Sequence, residues 1–180
     1  MRKRILPITL AALAATASVA TAQVLSNPDH DQGPVAGQVT RAQCGPQQQS
    51  IVTTNSAQVT TNSVPWVPSP ALQTQFQLPN GPERCVKVLL TAETSCTGVA
   101  GAPNDYCYVR ALLDGAPMDP DGLNFQAIDS EDASGDGHAY EWVADHVGPG
   151  NHVVTLERRV GNANTVFTTD DLTFDVQLFQ

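Results

Sequence analysis

"DLTFDVQLFQ", residues 171–180, decides the fold. Leu172, Phe174, Val176 and Leu178 fall at every second position, against Thr173, Asp175, Gln177 and Phe179. A period of two puts the first set on one side of a strand and the second on the other. The same grammar recurs upstream. "HVVTLERRV" (152–160) sets Val154, Leu156 and Val160 against Thr155, Glu157 and Arg159. "HAYEWVADHV" (138–147) puts Tyr140 and Trp142 opposite Glu141 and Asp145, and "CVKVLLTA" (85–92) aligns Val86, Val88, Leu90 and Ala92. "YCYVRALLDG" (106–115) ends in Asp114-Gly115, a hairpin signal, and "GLNFQAI" (122–128) follows it. Short period-two runs bounded by Gly, Pro, Asn and Asp predict an all-β fold. The expected form is a two-layer antiparallel β-sandwich, jelly-roll-like, with about eight strands.

Three stretches also carry a resemblance. "VRALLDGAPMDP" (109–120), "VGPGNHVVTLERRVGNA" (147–163) and "DDLTFDVQL" (170–178) resemble a widespread group of exported bacterial β-sandwich proteins of unassigned function. The shared features are a strand ending in Asp-Gly, a Pro-Gly-x-His hairpin and an Asp-Asp before the last strand. The resemblance covers roughly residues 84 to 180. These motifs are turn chemistry, so the resemblance implies the fold and brings no catalytic residue with it.

The other end of the chain reads differently. "MRKRILPITLAALAATASVATAQ" has a basic start at Arg2, Lys3 and Arg4, a short Ala/Leu-rich run, and Ala20-Thr21-Ala22 before Gln23. That is the pattern of a signal peptide, residues 1–22, and it predicts a secreted or periplasmic protein. Residues 23–49 are rich in Gln, Pro, Gly and Asp, the composition of a disordered or loosely tethered linker. "VTTNS" occurs at 52 and again at 59, an odd offset that asks for a turn near Asn55-Ser56. "VPWVPSP" (64–70) reads as a break in any regular element. The sandwich is therefore expected over 50–180. Without the signal, six basic residues stand against eighteen acidic ones, a formal charge of −12. Such a surface excludes nucleic-acid binding and adsorption to anionic membranes, and it suits cations.

Cys44, Cys85, Cys96 and Cys107 form an even set, which in an exported chain implies two disulfides. Cys96–Cys107 is the favoured pair, because "CTGVAGAPNDYC" is a Gly/Pro loop between strand-like runs. Closing so short a loop contributes about 3 kcal/mol in the chain-entropy picture. Cys44–Cys85 then ties the N-terminal segment to the first core strand. No two cysteines have zinc-ligand spacing.

Candidate chemistry gathers in "IDSEDASGDGHAYEW" (128–142). Asp129, Glu131, Asp132 and Asp136 place four carboxylates in eight residues, and Asp119 and Asp121 lie near in sequence. The first reading is a solvated, self-repelling turn. The rival is a calcium site, which needs six to eight oxygens; the spacing is not that of an EF-hand. A glycosidase pair needs two carboxyls held across a cleft, which a Gly-rich loop does not provide. His146 and His152 flank "VGPGN" and invite a zinc reading together with His138. However, His138 and His146 would stand about 26 Å apart on an extended strand. There is no nucleophile elbow and no phosphate loop. Trp142 shares a face with Tyr140 and reads as core, whereas Trp66, in a stiff loop, is the candidate for stacking on a ligand. The expected function is a non-catalytic binding or surface-structural module without cofactor. Its expected partner is a glycan or another extracellular protein. An oligomeric adhesion subunit, assembling through Phe125, Phe167 and Phe179, and a secreted hydrolase are the rivals.

Overall fold

The computed structural model describes residues 42–98, 106–120, 126–130 and 134–180. The signal segment 1–22 and most of the 23–49 segment lie outside the described residues. Among these residues ten strands occur: β1 (Gln47–Asn55), β2 (Val59–Thr61), β3 (Val67–Leu78), β4 (Arg84–Thr97), β5 (Tyr106–Leu113), β6 (Ala116–Pro117), β7 (Ala127–Ser130), β8 (Asp136–Val147), β9 (Gly150–Val160) and β10 (Val166–Phe179). All pairings are antiparallel. One sheet runs β1-β10-β4-β8, with β2 also on β10; the other runs β3-β9-β5-β6, with β7 also on β5. β1 and β2 share one edge of β10, and β6 and β7 share one edge of β5, so ten strands fill eight positions. Apart from the β1–β2 and β5–β6–β7 links, each connection passes from one sheet to the other. This is the jelly-roll arrangement of a two-layer sandwich.

The core lies between the layers. Val88 and Leu90 of β4, Phe174 and Val176 of β10 and Trp142 of β8 pack toward Val154 and Leu156 of β9, Val109 of β5 and Leu72 of β3. Each such side chain contributes about 1.5–3 kcal/mol by leaving water. Trp142 is 1 % exposed, in the core as its alternation with Glu141 demands. Phe167 is also fully buried, and Lys87 lies over the Phe179 ring. Neither therefore offers the bare apolar face expected of an assembling subunit, and Phe125 lies outside the described residues. The disulfides join Cys44 to Cys85 and Cys96 to Cys107, with Cα separations of 5.3 and 5.8 Å. The second links β4 to β5 and so clasps the two sheets together.

Four features depart from the pattern read in the sequence. The Asp170-Asp171 pair does not precede the last strand but bulges within it: the register against β4 slips between Asp170 and Thr173, and Asp171 has φ 42°. The extra residue reverses the alternation, so Phe167 and Thr169 face inward before it and Leu172 and Phe174 after it. The break between β1 and β2 falls opposite this bulge, where Asn55 Oδ1 accepts from the Ala57 N–H at 2.9 Å. "VPWVPSP" does not end regular structure: β3 starts at Val67 and runs through Pro68 and Pro70. It can do so because β3 is an edge strand, where proline removes no needed ladder bond, and its register slips between Pro68 and Gln73. The Pro-Gly-x-His segment is no hairpin, because β8 and β9 belong to different sheets. Finally, β1 begins at Gln47, so residues 47–49, assigned above to the linker, belong to a sheet; Gly45 N donates to Gln180 O at 2.8 Å just before them.

Candidate functional site

Among the described residues, the outward side of the β3-β9-β5 sheet carries a cluster of polar and aromatic side chains. On β5, Cys107, Val109 and Ala111 point into the core, which turns Tyr106, Tyr108 and Arg110 outward. On β9, Val154, Leu156, Arg158 and Val160 point inward, which turns Thr155, Glu157 and Arg159 outward. The register sets Tyr108 opposite Arg159 and Arg110 opposite Glu157, and directly opposed residues share one side of a sheet. Trp66, just before β3, folds over this face. Its ring centroid lies 4.4 Å from the Arg110 guanidinium carbon and 5.0 Å from that of Arg159. Arg159 also lies 4.6 Å over the Tyr108 ring, and the Tyr106 and Tyr108 rings are 6.2 Å apart. Arg110 donates from Nε to Glu157 Oε2 at 2.7 Å, and its Nη2 lies 2.5 Å from the same oxygen. Stacked guanidiniums on rings and a charge-assisted pair hold these side chains in fixed orientations.

The same face continues as a strip of amides. Gln73, Gln75 and Gln77 are exposed along β3, opposite Thr155, Val153 and Asn151 of β9. At that end a shallow depression of about 560 Å³ is lined by Gln75, Phe76, Asp114, Asn151, His152 and Val153. Asp114 and Gly115 have φ 51° and 84°, the two positive values of a type I′ turn, as "DG" requires. The turn aims the Asp114 carboxylate at β9: Oδ1 accepts from Val153 N at 2.8 Å, and Oδ2 lies 2.8 Å from His152 Nδ1. His152 Nε2 lies 2.9 Å from the Gly148 carbonyl. Burial pushes the Asp114 carboxyl upward, but the bonds from His152 and Val153 and the His152 charge outweigh it, and the carboxyl stays below its ordinary value.

Trp66 stands on the candidate face but is not the bare platform expected from its loop, since two guanidiniums lie against it. The acidic segment behaves otherwise. Asp129 is 9 % exposed, with Oδ2 accepting from Thr94 Oγ1 at 2.6 Å and Oδ1 from Ser130 N at 2.7 Å. His138 Nδ1 lies 2.8 Å from the same Thr94 hydroxyl. Asp136 is exposed and accepts from Ser134, while Glu131, Asp132 and Asp121 lie outside the described residues. Among the described residues, no three His, Cys, Asp or Glu side chains gather as metal ligands. The three histidines do not converge. His138 bonds Thr94, His152 bonds Asp114, and exposed His146 (φ 56°) lies 3.3 Å from Asp145. A register shift against β4 at this end of β8 breaks the parity that His138 and His146 share in the sequence. Asp129 is the one carboxylate among the described residues that is buried, so a facing pair of buried acids is not formed there.

Glu157 and Arg159 were legible as the polar side of an alternating strand, and Tyr106, Tyr108 and Arg110 only as members of a strand whose faces the sequence did not separate. Their joining was not, because it depends on which residues of β5 and β9 stand opposite each other. The one cue was composition: of six basic residues after the signal, two lie in "ERR" and one in "YCYVR".

No protein-family model matches this chain, and no curated protein matches it. Among solved structures, it is similar to one described as the EclA C-terminal domain, a sugar-binding protein, at 9 % identity and a TM-score of 0.38. That match covers 81 % of this chain and 89 % of the other. It is also similar to the CBM22-1 xylan-binding domain of Xyn10C from Paenibacillus barcinonensis, at 10 % identity and a TM-score of 0.30. Here 78 % of this chain and 99 % of the other are covered.

Proposed function

We propose that this chain is an exported, non-catalytic carbohydrate-binding module, and that its site is the outward side of the β3-β9-β5 sheet. The observation that carries the reading is the interleaving of Trp66 and Tyr106 with Arg110, Arg159 and Glu157, above a Tyr108 ring that Arg159 covers. A sugar ring has apolar C–H faces and a rim of hydroxyls. Aromatic rings cover the first, and planar guanidiniums, a carboxylate and amides bond the second. The exposed Gln73, Gln75 and Gln77 extend the hydroxyl-bonding strip, so the site suits a chain of sugars better than a single one. A half-buried ion pair also supports binding, because it is already oriented and loses little freedom when a ligand arrives.

The test is calorimetric titration of the chain from Gln23 onward with a panel of soluble polysaccharides, beside Trp66→Ala and Tyr106→Ala. At least one saccharide should bind, and each variant should weaken it tenfold or more while its melting curve remains cooperative. Binding that neither variant changes would sink the reading, as would the absence of any saccharide ligand. So would hydrolysis of a panel member that Asp129→Asn abolishes.

A further inference from the structure

We infer that the saccharide bound by this face carries an anionic group, and that Arg159 is the residue that receives it. The inference rests on the carbohydrate reading above and adds the charge of the ligand to it.

Three arginines stand close together here, and two of them have oxygen partners. Arg110 is paired with Glu157. Arg158 turns inward and donates to Val59 O at 3.0 Å, Thr169 Oγ1 at 3.3 Å and Thr60 O at 3.3 Å. Arg159 has neither kind of partner. Among the described residues no carboxylate lies within ion-pair distance of it, and its buried Nε has no hydrogen-bond acceptor. It is held instead by rings, 5.0 Å from Trp66 and 4.6 Å from Tyr108. Stacking holds the guanidinium in place and, with Nε enclosed, leaves its outer Nη1 and Nη2 donors for an oxygen pair. Carboxylates and sulfates present such a pair, and a guanidinium meets them with two parallel bonds. A neutral hydroxyl meets it with one. The rest of the molecule sharpens the argument. A chain that carries a formal charge of −12 from Gln23 onward attracts no polyanion through its overall field. Any preference for an acidic saccharide must therefore come from a local cation, and Arg159 is the cation on this face with no internal counter-charge among the described residues.

The experiment uses paired polysaccharides that differ only in charge. Polygalacturonate is compared with its methyl ester, alginate with its carboxyl-reduced form, and carrageenan with its desulfated form. Each is titrated into the full chain from Gln23 onward and into Arg159→Gln and Arg159→Lys. At least one acidic member should bind tenfold or more tighter than its neutral partner. The first two pairs report a carboxylate ligand and the third a sulfate. The preference should shrink with added salt, vanish in Arg159→Gln, and return only in part in Arg159→Lys, whose ammonium makes no fork. Binding of neutral and acidic members with equal affinity would overturn the inference and leave the carbohydrate reading standing. A preference for the acidic member that survives Arg159→Gln would also overturn it. Failure of all six while another member of the wider panel binds would overturn the inference alone, and failure of the whole panel would overturn both.

Discussion

Arg158 and Arg159 are neighbours on β9, and they face opposite ways. Arg158, 3 % exposed, points between the sheets and bonds two backbone carbonyls of β2 and a hydroxyl of β10. Burial pulls its guanidinium below its ordinary pKa. Arg159 points outward and lies on the rings of Trp66 and Tyr108. One arginine closes the sandwich, and the other equips its surface. The difference is one step along a strand, and it teaches how a jelly roll divides its labour: a single residue of register decides whether a charge serves stability or recognition. Changes on the inward side of β9 should cost stability, and changes on the outward side should cost binding.

The largest effect is expected at Leu156, 2 % exposed on the inward side of β9. Leu156→Ala leaves a cavity between the sheets and should cost about 2–5 kcal/mol. Urea unfolding should show a lower midpoint with an unchanged slope, and the folded fraction should bind saccharide as before. A stability loss under 1 kcal/mol would place Leu156 outside the core and weaken the division between the sides.

Arg158→Gln against Arg159→Gln is the closest comparison. The first leaves Val59 O and Thr60 O without their donor and should cost about 1–3 kcal/mol. The second loses stacking on two rings and should cost about 1 kcal/mol or less. The same unfolding curves measure both. Equal losses would contradict the assignment of one arginine to each role.

The hairpin at the far end of the outward face should respond to pH. The Asp114 carboxyl is held below its ordinary value of 3.8, so the native state binds its proton less readily than the unfolded chain does. Its contribution is present above that value and is lost as the pH falls through the lower, folded-state value. The melting temperature should therefore decline more steeply in acid for the wild type than for Asp114→Asn. Parallel curves for the two proteins would deny the latch between Asp114 and His152 any energetic role.

The smallest effect is expected on the outward side of the other sheet. Lys87 and Glu141 approach to 2.6 Å but are solvent-exposed, with 28 % and 52 % of their side-chain surfaces open. Such pairs contribute about 0–1 kcal/mol. Glu141→Gln should leave the melting temperature and the saccharide affinity nearly unchanged. A tenfold loss of affinity would move the site to that sheet.

The sequence showed the sandwich because the period of two survives along most of β4, β9 and β10, and because Asp114-Gly115 marks its turn chemically. It did not show the bulges. Asp171 and His146 sit at positive φ inside strands, and an extra residue there reverses the alternation without altering composition. Nor did it show that Pro68 and Pro70 lie on a sheet edge, since proline reads as a break until the neighbouring strands are known. The candidate site was visible only in fragments. Trp66 stood out as a loop aromatic, and Glu157 and Arg159 as polar members of an alternating strand. What joins them is the pairing of β5 with β9 and the fold-back of residue 66, both long-range facts. Conversely, the density of acids around Asp129 drew notice in the sequence because it is local, yet Asp129 spends both oxygens on Thr94 and Ser130.

The central claim is where the ligand sits, and amide and arginine side-chain NMR reads it directly. The ¹⁵N-labelled chain from Gln23 onward is titrated with the tightest saccharide from the panel. Signals of Tyr106, Tyr108, Arg110, Thr155, Glu157 and the Arg159 guanidinium should shift together along one binding curve, while Arg158 and the amides of Asp129, Asp136 and His138 stay in place. Shifts centred on Asp129, Asp136 and His138, or on Lys87 and Glu141, with the Arg159 guanidinium unmoved, would contradict the account.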